Sequence, residues 1–211
     1  MAQLTSRMRM INAAEEIVAE RGFSAMTMRE VHARSGQSNK SAAQYHFGSR
    51  EGIVAAVVEA RMKPVNEARR QFLADNDIGH ADIRTLVEAV IVPLAQVVLC
   101  RPRSTYARFL VQCMTEPTLV QTIYDHPEAA SVREVMAKLV ERSRLPKTIA
   151  LQRVTNMTYL VAAALAQLEG DLPSPADLPE LIADIVDSCV GLLDAPHTGR
   201  IPRPFSASPE E

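Results

Sequence analysis

Apolar residues recur at helical spacing along most of the chain, and no stretch shows a convincing two-residue strand rhythm. Between residues 5 and 21, Met10, Ala13, Ala14, Ile17 and Val18 share one face, with Glu15, Glu16 and Glu20 mostly opposite. Gly22 ends that pattern, and Phe23 is expected to plug a small core with Ile17, Val31 and Phe47. Ser49 is a good N-cap for the next long helix, which Ile53, Val54, Val57, Val58 and Met62 continue. Its pattern extends through Val65, Ala68 and Phe72 to about residue 74, across Pro64, which removes one hydrogen bond and can kink the helix. Further helices are expected over 82–99, interrupted by Pro93, over 104–115, from Pro117, and over 127–143. A long helix over 147–169 is apolar around much of its circumference from Tyr159 to Leu168, so it must be covered on two sides. The last helix, 177–193, carries the stripe Leu178, Leu181, Ile182, Ile185, Val186, Cys189 and Leu192. The prediction is an all-α chain of about nine helices, followed by a Pro-rich, disordered tail over 196–211.

Composition agrees with helix and narrows the core. Aromatics make up 4% of 211 residues and there is no Trp, so the interior has to be aliphatic. The longest apolar run, Leu160 to Ala166, is too short to span a bilayer. The first ten residues carry no apolar signal-peptide core, so a cytoplasmic protein is expected. Cys100, Cys113 and Cys189 lie in apolar helical contexts, and their odd number fits reduced, buried thiols better than a disulfide framework. Charge divides unevenly. Residues 1–50 hold seven Arg and Lys against four Glu, a net +3, which leaves −5 on the remainder of a chain whose total is −2. A basic head on an acidic body suits phosphate binding by the head alone.

The head also contains a recognisable unit. Thr27 has N-cap chemistry, with Glu30 at capping-box spacing. A short helix to Ser35 is followed by Gly36, where a left-handed C-cap is wanted. A second short, polar helix, capped by Ser38 or Asn39, then carries Lys40, Ser41, Gln44, Tyr45 and His46. Short helix, Gly turn, short polar helix is the pattern of a helix-turn-helix, whose second helix enters the DNA major groove. In its stretches INAAEEIVAERGFSAMTMREV, SG and QYHFGSREGIVAAVVEA, the segment 8–60 resembles the N-terminal domain of the TetR family of bacterial transcriptional regulators. Two features depart from that family's pattern. His32 stands where a small apolar residue is usual and needs a partner there. The turn around residues 37–40 is one residue longer than usual, which leaves the register of Asn39 and Lys40 open.

The resemblance implies a homodimeric regulator that binds a double-stranded DNA operator, responds to a small-molecule effector and uses neither a membrane nor a cofactor. The domains expected are a DNA-binding head over 1–50 and a ligand-binding, dimerising body over 51–195. Expected DNA contacts are Thr27, Arg29, Asn39, Lys40, Ser41, Gln44, Tyr45, His46 and Arg50. Gln44 suits adenine and Lys40 suits guanine or phosphate, while Tyr45, His46, Arg29 and Arg50 suit phosphates. The helix from Ser49 would link head to body, converting body movement into a change in head spacing. The last two long helices would pair with their copies as a four-helix bundle, through Leu178, Ile182, Ile185, Cys189 and Leu192. In the body, Tyr106, Phe109 and Cys113 share a helix face, and Asn156 and Tyr159 interrupt an otherwise apolar helix. Polar groups among apolar walls suit a ligand pocket, although satisfied core groups give the same pattern. Catalysis is not expected, because His32, His46, His80, His126 and His197 lie far apart and no zinc, thiol, nucleophile-elbow or P-loop motif is present. The alternative is a helical dimeric interaction module controlled by a protein partner.

Overall fold

Helix-forming composition, punctuated by good caps, yields helices close to where the pattern places them. The computed structural model describes residues 5–36 and 42–200. Among them are ten α-helices and no strand. The head comprises α1 (Ser6–Arg21), a 3-10 turn (Phe23–Ala25), α2 (Met28–Arg34) and α3 (Ala42–Phe47). The connecting helix is α4 (Arg50–Asp75). The body adds α5 (Ile83–Leu99), α6 (Tyr106–Met114), α7 (Pro117–Tyr124), α8 (Ala130–Arg142), α9 (Lys147–Gly170) and α10 (Leu178–Asp194). This agrees with the expected all-α chain of about nine helices, and the short α7 starts at Pro117 as the pattern predicts. No helix among the described residues is long and apolar enough to cross a membrane.

The caps act as their chemistry dictates. Thr27 Oγ1 accepts from the Glu30 N–H at 3.1 Å, Ser49 Oγ from Gly52 at 3.0 Å, and an Asp82 carboxylate oxygen from Thr85 at 2.8 Å. The reciprocal half of the capping box is replaced, because Glu30 pairs with Arg21 at 2.6 Å. Gly36, at φ +63°, occupies the left-handed region that ends α2. Gly52 is needed for a different reason: a Cβ there would lie 2.0 Å from the Phe47 carbonyl oxygen, so α3 and α4 meet at a distance only glycine permits. Ser38 and Asn39, the caps expected for the second short helix, lie outside the described residues.

The buried apolar side chains form one continuous core. In the head, Ile11, Ile17 and Val18 of α1 meet Met26, Val31, Ala43, Ile53 and Val57. In the body, Leu86, Ile91 and Val98 of α5 join Phe109 of α6, Met157 and Leu165 of α9, and Val186 of α10. Phe23 and Phe47 pack on its edge, half-buried. Helix α1 belongs to both parts, since it packs against α2 on one side and against α4 and α6 on the other. This second neighbour corrects the expectation for Glu15. Its carboxylate is 1% exposed, turned towards the body instead of solvent. Arg61 Nε donates to it at 2.5 Å, Thr105 Oγ1 at 2.9 Å, and Arg101 adds a second ion pair. The cysteines need a correction as well: Cys113 and Cys189 are buried, but Cys100 ends α5 exposed.

Candidate nucleic-acid face and body cavity

Helix α3 is six residues long, and its Ala43 is buried in the core. Gln44, Tyr45 and His46 therefore project outward together. Tyr45 is 85% exposed, and its ring meets the His46 ring edge-on with centroids 5.4 Å apart. A large aromatic left this bare does no packing work in its own chain. Gln44 Nε2 donates to the Gly48 carbonyl at 2.6 Å, which steadies the side chain while leaving Oε1 and one amide N–H available. Thr27 and Arg29 are exposed at the start of α2, and Arg29 has no ion-pair partner among the described residues. Asn39, Lys40 and Ser41 lie outside the described residues.

Several head cations have internal work. Arg34 reaches Glu16 at 3.0 Å and Glu20 at 2.7 Å, and its hydrogen bond holds the Glu20 carboxyl below the usual range. Arg7 pairs with Glu59 at 3.3 Å. Arg50, expected to reach a phosphate, turns back into the head. Its guanidinium lies 4.2 Å from the centre of the Phe23 ring and donates to the Phe23 carbonyl. The reason is positional: Arg50 opens α4 within reach of the 3-10 turn, and its long side chain covers the Phe23 ring.

The body encloses a cavity of about 570 Å³, bounded by α4, α5, α6, α7, α8 and α9. Its walls include Met62, Leu94, Val120, Met136, Val140 and Val161. Of the five pocket residues expected from sequence, Tyr159 alone lines it, donating its hydroxyl to the Met114 carbonyl at 3.2 Å. Tyr106, Phe109 and Cys113 belong to the core between α6 and its neighbours, with the two rings stacked at 5.7 Å. Burial there raises the Tyr106 phenol above its usual range and pushes the Cys113 thiol up to about 12. Asn156 is exposed and accepts from Gln152 at 2.9 Å.

The cavity's most distinctive group was not expected. Arg69 of α4 lines it while being only 1% exposed. Proline explains how it is held. Pro93 sits inside α5 and has no N–H for the carbonyl four residues earlier, that of Ala89. Arg69 Nε donates to this carbonyl at 2.8 Å, and the two terminal nitrogens reach Val90 O and Ser131 Oγ, each at 3.3 Å. No carboxylate lies within ion-pair distance of it among the described residues. Desolvation pulls the guanidinium down to about 10, so it still carries its charge at neutral pH. A signal existed in the sequence: Arg69 stands four residues after Val65 and three before Phe72, on the apolar stripe.

On α10, Ile185 and Cys189 are buried against α5 and α9 within the protomer, and Leu178, Ile182 and Leu192 are half-buried. The outward stripe is formed by Leu181, Asp184, Ser188 and Gly191, with Leu181 37% exposed.

Comparison with known proteins places this geometry. Residues 10–57 match the family model for bacterial regulatory proteins of the tetR family. No curated protein sequence matches the chain. Among solved structures, the transcriptional regulator FadR from Bacillus subtilis, in complex with stearoyl-CoA, is 15% identical with a TM-score of 0.61, covering 90% of this chain and 99% of that one. AmtR of Mycobacterium smegmatis is 17% identical with a TM-score of 0.58, covering 93% of this chain and 90% of that one. The fatty acid degradation regulator FadR from Bacillus halodurans is 12% identical with a TM-score of 0.57, covering 92% and 98%. At such identities the likeness is one of fold. Residues 10–57 are thus similar to the tetR-family domain, and the chain as a whole shares the all-helical fold of these solved regulators.

Proposed function

We propose that this chain is a TetR-type regulator, a homodimeric repressor released from its operator by a small molecule. The observation that carries the reading is the bare Gln44–Tyr45–His46 surface of α3, which has no packing role in its own protomer. Two such heads would enter successive major grooves about 34 Å apart on a near-palindromic site. Gln44 would read a base edge. Tyr45, His46, Thr27 and Arg29 would hold phosphates, with Asn39, Lys40 and Ser41 adding further contacts. Arg50 would then act indirectly, by bracing α4 against the 3-10 turn. The dimer would form through α9 and the outward stripe of α10. The cavity of about 570 Å³ favours a small-molecule effector over a protein partner, and its apolar walls suit a largely apolar one. Because DNA and effector would favour different head spacings, each would weaken the other's binding by the same factor.

The test is fluorescence anisotropy on labelled fragments from the gene's own upstream DNA, with random duplex as competitor at two salt concentrations. Salt-sensitive binding that random duplex cannot displace is expected. Gln44→Ala is expected to relax base preference by about 1–3 kcal/mol at one position while leaving non-specific binding nearly unchanged. Equal losses on specific and random duplex would remove Gln44 from base reading.

A further inference from the structure

The cavity's charge pattern identifies a ligand class. We infer that the cavity takes an apolar molecule bearing a carboxylate, with the acid group seated against Arg69. The inference rests on reading the cavity as the effector site and says what fills it. Among the described residues, the charged side chains lining it are Arg69, Arg133 and Lys147, all cationic, with no Asp or Glu. The remaining walls are aliphatic or Met for the most part, with Tyr124 and Tyr159 as the aromatic members. A cationic ligand would meet only repulsion, and a sugar-like ligand would leave most of its hydroxyls without partners.

Arg69 sharpens the choice. A guanidinium offers five N–H donors. Ala89 O, Val90 O and Ser131 Oγ each take one, which leaves two without a protein acceptor. All three partners are neutral, so the buried charge is solvated but not neutralised. An entering carboxylate supplies the missing charge and can accept from both terminal nitrogens at once. Arg133 is tied by its Nη1 to the carbonyls of Tyr124 and His126, the latter at 3.0 Å. Lys147, exposed at the cavity edge, adds to the positive potential without competing for the deep position. The apolar body of the ligand would then lie along Leu94, Met136, Val140 and Val161.

The experiment is isothermal titration of the full chain, without DNA, using decanoate, decan-1-ol and decyltrimethylammonium below their micelle concentrations. Decanoate is expected to bind about tenfold or more tightly than decan-1-ol, the range of a charge-assisted hydrogen bond, and the ammonium not measurably. In Arg69→Gln the ratio of acid to alcohol is expected to fall towards one, with Arg69→Lys retaining part of it. Circular dichroism melts check that the variants fold, and the wild-type ratio decides the matter even where one does not. Equal binding of acid and alcohol, an acid preference that survives in folded Arg69→Gln, or no binding of any probe would each overturn the inference. Operator release is read separately. Acid binding without release would leave the ligand class standing and overturn the effector reading.

Discussion

A single carboxylate on α1 collects donors from three other segments of the chain. Glu15 bonds Arg61 of α4, Arg101 of the turn after α5, and Thr105 at the start of α6. Removing it strands two arginines at a largely buried site, so Glu15→Ala is expected to lower unfolding stability by about 3 kcal/mol in urea titration. A loss under about 1 kcal/mol would mean that Arg61 and Arg101 re-solvate freely. The thiols give an independent check on burial. Cys100 is exposed, whereas burial pushes Cys113 up to about 12 and Cys189 up to about 11. A disulfide-exchange reagent at neutral pH should therefore titrate one thiol quickly in the native protein and three after denaturation. At this scale the sequence misleads in a consistent way. A helical wheel gives each residue an angle but not the neighbour at that angle. Glu15 and Arg69 each lie beside apolar residues, and polar type alone assigned the first to solvent and left the second unnoticed. Tyr45 was legible, because at helical spacing it meets only the small Ala42 beside Ser41, Gly48 and Ser49.

Elements were far more legible than sites. Thr27, Ser49 and Asp82 cap the helices they precede, and Pro117 and Gly170 mark an element's start and end, because capping and proline chemistry act within a few residues. The cavity depends instead on how six helices meet, and Tyr106, Phe109 and Cys113 show the cost of inferring it from a shared face: that face is turned into the core. Prolines inside helices carry information at this scale too. Pro93 frees a carbonyl that Arg69 then uses. Pro64 interrupts α4 on its exposed side, where it has no N–H for the carbonyl of residue 60. Pro64→Ala is expected to stabilise the protein by about 1–3 kcal/mol, read as a raised Tm. It is also expected to raise the effector concentration needed for half release from DNA, because a continuous α4 yields less. Unchanged release with a raised Tm would exclude Pro64 as the yielding point.

In the whole molecule, affinity for an operator would come from holding two heads at once. The outward stripe of α10 places Leu181 beside Asp184, so Leu181→Glu would crowd like charges around the proposed two-fold axis. Sedimentation velocity at micromolar concentration is expected to show a monomer, and operator affinity to fall about a hundredfold as the second head's contribution is lost. A dimer that persists would move the interface off this stripe. Within each protomer, Arg61, which binds the head's Glu15, and Arg69, which faces the cavity, ride on the same helix eight residues apart, about 12 Å along its axis. That helix has 26 residues and is therefore about 39 Å long. Pivoting it by about 5° carries its far end about 3.4 Å, the rise of one base pair. Taking the two heads out of step with their grooves thus calls for no unfolding and no chain of intermediaries: a few degrees in one rod, felt at both ends, would be enough.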